Sequence, residues 1–279
     1  MTTAVKVWGK KMMKIMSNMH THSTFSDGKN APRDIIEAAI GKGFCAIGLS
    51  DHSYTHFDDS YCLPPTRYGE YRNTVRQLQK EYEGKIKVLL GLEQDAFSEP
   101  LVKEDFDYFI CGVHYVKANG VYYPIDLSAK ATKEAIDVGF GGDQIAFSRA
   151  YYEDVVKCLS LKPLFLAHFD LITKHRVPDE SDPRYISLAL EALDAVMETG
   201  TPIEVNTGAM ARGVTDWPYP AEFLMRRIAE KNGLVTLGSD CHDCTKLDYA
   251  FDVAVDALRR NGVHSVLIFD GEKYVEQGI

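Results

Sequence analysis

Lys14-Ile-Met-Ser-Asn-Met-His20-Thr21-His22 is a short, mostly apolar run that ends on two histidines one residue apart. Side chains alternate along a strand with period two, so positions 20 and 22 point the same way and Thr21 points into the packing. The pattern then recurs: an apolar run stops, and a side chain able to bind metal stands at its C-terminal edge. His52 follows residues 46–49, Glu93 follows 88–92, His114 follows 109–113, His168 follows 164–167, and Asp240 and His242 follow 234–239. One rim of a parallel sheet or barrel would gather all of these into a single site.

Strand-like and helix-like segments alternate throughout, which argues for a parallel sheet. The expected strands are 14–20, 46–50, 86–92, 108–113, 164–168, 202–206 and 234–239, with an eighth at 265–269. Helices are expected over 32–42, 66–82, 143–159, 182–198, 220–231 and 247–261, most of them with Gly or Pro at a boundary. Residues 115–142 break the rhythm. Asn119-Gly120 reads as a hairpin turn, and Gly139, Gly141 and Gly142 read as a loop. This insertion lies on the same rim as His114 and is placed to cover a substrate. No internal repeat or linker divides the chain, so one barrel-like domain with its active rim at the strand C-termini is the simplest architecture.

The composition limits the partners. The chain has 279 residues, 45% hydrophobic and 25% charged, as in an ordinary soluble globule. A net charge of −9 argues against a basic face for nucleic acid or an anionic membrane. It leaves room for a phosphorylated substrate, because bound divalent cations invert the local sign. No apolar run approaches the roughly 20 residues of a membrane span. The N-terminus is basic without a clean apolar segment, so no signal peptide is expected. Residues 1–11 read as an extension preceding a single domain over 12–279, and Met12, Met13 and Met16 leave a later translation start open. The six cysteines lie mostly in apolar runs, which suggests reduced thiols and a cytoplasmic setting. Cys241-x-x-Cys244 has no second pair to complete a structural zinc site and reads as coincidence.

His20, His22, His52, Glu93, His114, His168, Asp240 and His242 make eight candidate ligands, and Asp27 a ninth. One metal takes about four. The set therefore suits two or three ions of zinc, manganese or iron, with Glu93 the natural bridge because it is the one carboxylate ending a central strand. Sites of this kind activate water and clamp a phosphoryl group. The bland reading of Asp27 is an Asp-Gly turn. His56 and His175 fall on loops and read as exposed, and His264 lies outside the pattern.

These motifs resemble the PHP (polymerase and histidinol phosphatase) family. The match is carried by His20-Thr-His22 with Ser26-Asp27-Gly28, Ser50-Asp51-His52, Gly91-Leu-Glu93, Gly112-Val-His114, Ala167-His168 and Gly238-Ser-Asp240-Cys-His242, in the family's order. Ile203-Glu-Val-Asn206-Thr, Pro218-Tyr-Pro220 and Tyr152 make the chain similar to the stand-alone histidinol-phosphatase subgroup. The resemblance implies a distorted (β/α)7 TIM-like barrel with a trinuclear site. One metal would take His20, His22, Glu93 and Asp240. A second would share Glu93 and add His114 and His168. A third would take Asp27, His52 and His242. The implied reaction is hydrolysis of a small phosphorylated metabolite with inorganic phosphate as product, L-histidinol phosphate being the expected substrate in histidine biosynthesis.

The remaining roles are less determined. Glu93 and Asp240 belong to the catalytic centre, and His242 or Asp51 would protonate the leaving oxygen, Asp51 otherwise orienting a ligand. Arg212 is the first candidate to clamp phosphate, since its planar fork matches phosphate oxygens. Lys174 and Arg176 are further candidates, each with a solvated surface charge as the alternative. Asn206 either contacts substrate or holds a loop, and Tyr115 and Tyr123 either line a ring pocket or simply pack. Three rivals are weighed. An amidohydrolase would bridge with a Lys and end on a lone Asp. A nuclease or proofreading module would favour a basic groove or a longer chain. A non-enzymatic metal-binding module would have lost ligands.

Overall fold

The computed structural model describes residues 15–99 and 105–279; the expected extension at 1–11 lies outside them. Four strands run parallel in chain order: β1 (Ser17–Asn18), β2 (Ala46–Leu49), β3 (Lys87–Asp95) and β4 (Tyr108–Gly112). A second parallel run holds β7 (Ile203–Asn206), β8 (Val235–Gly238) and β9 (Ser265–Phe269), and β10 (Tyr274–Gly278) pairs antiparallel on its edge. Between them stands the hairpin of β5 (Tyr115–Ala118) and β6 (Val121–Pro124), turning at Asn119-Gly120, both at positive φ.

The two runs meet through single-residue bridges. Leu166 pairs in parallel with Cys111 on one side and Ile203 on the other, and Thr21 pairs with Cys241. The result is an α/β fold around a curled parallel sheet. The strand expected at 164–168 is therefore corrected to one bridging residue. Its apolar run is buried like a strand, but the chain leaves the ladder at His168, whose φ of 27° no strand tolerates. The late strand β10 is absent from the expectations because Tyr274-Val-Glu-Gln-Gly is half-exposed and carries little apolar alternation.

The helices lie where their caps put them. α1 (Pro32–Gly41) starts with Pro at its first position and stops before Gly43 at φ 76°. α2 (Tyr68–Glu81) follows a 3₁₀ turn at Pro65–Arg67. α4 (Gln144–Cys158) is capped by the Asp143 carboxylate, which accepts from the N–H groups of Ile145 and Ala146, and α5 (Pro183–Glu198) by Asp182, which accepts from Arg184 N–H. The insertion is more helical than its glycines suggest. It contains α3 (Ala129–Glu134), capped by Ser128, and a π-helical turn at Ala135–Gly139. A single helical turn, α6 (Gly208–Ala211), follows β7; α7 (Glu222–Lys231) and α8 (Phe251–Arg260) complete the set, the last starting later than expected because Ala250 adopts φ 54°.

Apolar faces of the helices and the outward faces of the strands form one core that includes Ile36, Leu49, Leu92, Phe147, Leu193 and Leu237. Inside the curl, Met19, Ala46, Tyr108, Ile110, Phe165 and Ala167 pack together. The Tyr108 ring crosses Gly48 and Gly91, where any Cβ would collide with it, and its hydroxyl donates to Met19 O at 2.9 Å. The lower interior is thus plugged, which leaves the strand C-termini as the open end. Among the described residues no helix is long and apolar enough to cross a membrane.

Candidate metal centre and its cleft

Glu93 is fully buried near the C-terminal end of β3, and five imidazoles surround its carboxylate. Oε1 lies 2.9 Å from His168 Nε2 and 3.5 Å from His114 Nε2. Oε2 lies 3.0 Å from His52 Nδ1, 3.3 Å from His20 Nε2 and 3.5 Å from His22 Nε2. Gly112 makes the approach possible: a Cβ there would stand 2.6 Å from His168 Cε1 and 2.8 Å from Glu93 Oε1. Burial alone would push the Glu93 carboxyl up, but the charges of His20, His52 and His114 hold it well below the ordinary carboxylate range.

The other wall comes from the segment after β8. Asp240 and His242 do not continue the strand with period two as their spacing suggests, because Asp240 turns at φ 46°. Together with His168, it is a non-glycine residue held in the left-handed region, a strain of about 1–3 kcal/mol each that clusters at functional sites. Asp240 Oδ1 lies 3.2 Å from His22 Nε2 and 3.5 Å from His20 Nε2, while Oδ2 accepts from Arg212 Nη2 at 2.7 Å. His242 Nε2 and His52 Nε2 face Asp27 at 3.2 and 3.7 Å. His22 is stacked between His52 and His242, with ring centroids 4.2 Å away on each side. Burial and these two neighbours lower the His22 pKa to about 3.

The nine expected ligands thus converge, in groups whose donor atoms lie within 4.8 Å of one another: His22, Asp27, His52 and His242; His20, Glu93 and His168; His20, His22 and Asp240; and His52, Glu93 and His114. The grouping differs from the expected one: His20 joins Glu93 and His168, His114 falls with His52 and not with His168, and the group of His20, His22 and Asp240 forms without Glu93. His22 also reaches the Asp27 group, and His52 also reaches Glu93. A cation fits here on the chemistry of the donors, all imidazole nitrogen and carboxylate oxygen. It fits on satisfaction too: His20 Nε2, His22 Nδ1 and Nε2, Glu93 Oε2 and His168 Nδ1 are buried without a hydrogen-bond partner, an arrangement too costly to leave without a ligand.

Outer partners fix these rings. Glu204, fully buried on β7, takes His20 Nδ1 at 2.8 Å with Oε1, and its Oε2 accepts from His168 N–H at 3.0 Å and Asn206 Nδ2 at 2.8 Å. Asp95 Oδ2 accepts from His114 N–H at 2.9 Å and meets its Nδ1 at 3.1 Å. Sequence reading missed both, although each left a signal: Asp95 shares a strand face with Glu93, and Glu204 is a carboxylate inside an apolar strand.

For two residues the geometry favours one of the alternatives the sequence leaves open. Asp51 is buried and spends its carboxylate on Ser23 and Ser26, accepting from both backbone N–H groups and both hydroxyls at 2.6–3.1 Å. It organises the loop that carries His22 and Asp27, in keeping with the orienting alternative. His242 faces the cleft. Asn206 is 1% exposed, donates to Glu204 and accepts from Gly208 N–H at 2.8 Å, in keeping with the loop-holding alternative.

A cleft of about 380 Å³ opens over the ligands. Arg212, Lys174 and Tyr115 line it as expected. Arg212 spans from Asp240 to His242 Nδ1, 3.3 Å away. Lys174 Nζ pairs with Asp126 at 3.1 Å, and the Tyr115 hydroxyl donates to Asp58 at 2.5 Å. Arg176 stacks over Trp217, and neither it nor Tyr123 lines the cleft. His56 and His264 are exposed, whereas His175, expected exposed, is half-buried with Nε2 2.9 Å from Asp126 O. The cysteines are free, Cys241 and Cys244 included.

The PHP domain profile matches residues 18–208. A Deinococcus radiodurans protein named "Probable histidinol-phosphatase" is 31% identical over 90% of this chain and 94% of its own length. The histidinol-phosphatase of Bacillus subtilis is 23% identical over 88% of this chain and 99% of its own. In fold, the chain is similar to the Lactococcus lactis histidinol phosphate phosphatase solved with zinc, L-histidinol and phosphate, at a TM-score of 0.67 and 22% identity over 93% of this chain and 98% of the other. With the motifs, the ligand cluster and the matched length in agreement, the chain belongs to the PHP domain family.

Proposed function

We propose that this chain is a metal-dependent phosphoric monoester hydrolase that converts L-histidinol phosphate and water to L-histidinol and phosphate, a step of histidine biosynthesis carried out in the cytoplasm. The observation that carries this reading is the single buried Glu93 carboxylate shared by five imidazoles. One oxygen faces His20, His22 and His52 and the other faces His114 and His168, which is what a bridge between two cations needs. His20, His22, Glu93 and Asp240 would hold one ion, Glu93, His114 and His168 a second, and Asp27, His52 and His242 a third. Zinc, manganese and iron all suit these donors. Divalent ions there supply charge neutralisation for the phosphate and an acidified water as nucleophile.

The protein's own part is positional. Glu204 and Asp95 hold His20 and His114 with one ring nitrogen turned inward. Arg212, fixed by Asp240, presents its remaining N–H groups to phosphate oxygens on the cleft side. The attacking oxygen forms its bond to phosphorus as the ester P–O bond breaks, and the departing alkoxide takes its proton from water in the open cleft. We read the seven segments around the curl, counting Leu166 and the Thr21–Cys241 closure, as a distorted (β/α)7 barrel forming one domain. The relative named "Probable histidinol-phosphatase", at 31% identity over 94% of its length, supports the choice of ester.

The test is a panel of metal-replete protein against histidinol phosphate, nucleotides and sugar phosphates. A kcat/KM for histidinol phosphate at least tenfold above the others is expected. Comparable rates across the panel would remove the specific substrate and leave the hydrolase, and no turnover of any ester would remove both.

A further inference from the structure

We infer that Phe57 and Tyr122 are positioning residues: their stacked rings latch together two flaps that wall the cleft beside the metal ligands, and so set how tightly an ester is captured. The inference rests on the phosphomonoesterase reading above.

Each flap leaves the sheet at a metal ligand and returns to that ligand's carbonyl. Residues 53–62 depart after His52 and come back where Leu63 N–H donates to His52 O at 2.9 Å. The β5–β6 hairpin departs after His114 and comes back where Ile125 N–H donates to His114 O at 3.0 Å. The first excursion is a surface loop with neighbouring ends, a form that frequently carries function. Both flaps send side chains into the cleft: Asp58 and Tyr61 from the loop, Tyr115 and Pro124 from the hairpin. The His52 and His114 rings meet edge to face with centroids 5.2 Å apart, so the two hinges are neighbours.

Away from the hinges the flaps meet through rings. Phe57 stacks on Tyr122 with centroids 3.8 Å apart and planes 7° from parallel. Phe97 closes the edge of both, 5.3 Å from Tyr122 and 6.4 Å from Phe57. Its N–H donates to Asp95 Oδ1 at 2.8 Å, on the same carboxylate that meets His114. The hydrogen bond from the Tyr115 hydroxyl to Asp58 joins the flaps a second time.

The sheet does not need this stack. Phe57, Phe97 and Tyr122 are half-buried and belong to neither apolar core. None of the three lines the cleft, so their effect on an ester passes through the flaps. Loss of one ring frees the flaps while the metal ligands keep their own outer partners. An ester whose wall is closed for only part of the time binds more weakly by that fraction. Inorganic phosphate, held on the metal side, does not sense the wall. An aromatic pair shifts such an equilibrium by a factor of about 2–10.

The experiment uses metal-replete wild type, Phe57→Ala, Tyr122→Ala, the double variant and Tyr122→Phe, with L-histidinol phosphate as substrate and inorganic phosphate as inhibitor. Each alanine variant should raise KM by about 3- to 10-fold, with kcat and phosphate inhibition within about twofold of wild type. The double variant should be no worse than either single one, because removing one ring already opens the latch. Tyr122→Phe keeps the ring and should keep the wild-type KM. Amide hydrogen exchange reads the latch without turnover: Phe57→Ala should speed exchange in 115–124 as well as in 53–62. An unchanged KM, additive losses in the double variant, kcat falling in step with KM, or faster exchange confined to 53–62 would overturn the latch and leave the phosphomonoesterase reading standing. Wild-type protein that hydrolyses no phosphomonoester would overturn that reading, and the exchange pattern would then decide the latch by itself.

Discussion

Glu204→Gln isolates the device that presents His20 to a cation. The wild-type carboxylate only accepts, and it meets three donors: His20 Nδ1, His168 N–H and Asn206 Nδ2. Glutamine has the same shape but one oxygen and one N–H2. If the N–H2 replaces Oε2, it faces two donors, and rotating Asn206 to accept would break its bond from Gly208 N–H. If it replaces Oε1, His20 must accept at Nδ1, and its proton moves to Nε2, which faces Glu93 and Asp240. The first arrangement leaves a buried donor unsatisfied, costing about 1–3 kcal/mol. For a chain of this size that lowers the thermal midpoint by about 2–6 °C. The second blocks the ligand nitrogen, and losing such an outer partner weakens metal binding by about 10- to 100-fold. Circular dichroism melting of the metal-free variant, with chelator competition for metal affinity, reads both. A variant with wild-type affinity and an unchanged midpoint would refute the role given to Glu204.

Three further outcomes follow from the geometry. Glu93→Ala removes the oxygens shared by five imidazoles, so bound metal and turnover should fall together, by more than the about 10- to 100-fold expected for an outer partner; full metal content by elemental analysis with normal turnover would contradict this. Gly112→Ala places a methyl against His168 and Glu93, an overpacking of about 1–3 kcal/mol that should lower both the melting temperature and metal affinity. Burial alone would lower the pKa of His20, His52, His114 and His242, but the carboxylates around them raise it. A raised histidine pKa stabilises fully below the unfolded value of about 6.5 and ceases to do so as pH rises through the folded value. The metal-free midpoint should therefore fall as pH rises above about 6.5. Metal affinity should rise over the same interval, because ions displace those protons. His22 acts oppositely: its pKa, lowered to about 3, gives stability above about pH 6.5 that is lost toward pH 3. A metal-free midpoint climbing steadily to pH 9 would oppose the assignment.

The candidate ligands are legible in the sequence because metal chemistry admits few residue types and a parallel sheet puts its strand ends together. His20, His22 and Glu93 could be found from apolar runs and period two alone. The segments after those runs were not, since their paths depend on strained backbone. Asp240 reaches the site by a left-handed turn, and His168 stands on a segment joined to the sheet by one residue. Asp51 shows the limit from the other side. Its position beside His52 suggests chemistry, and only the two serines folded against it reveal a structural task. Glu204 was hidden because a strand residue's partner on another strand has no fixed sequence separation.

The unsatisfied nitrogens and oxygen around Glu93 also bear on how long the molecule survives in a cell. A ligand bound only by the native chain adds about 4 kcal/mol of stability at a thousand times its dissociation constant. Metal scarcity then enlarges the unfolded fraction open to proteases. A chain that binds its cation only when folded would lose abundance as well as rate when metal is scarce.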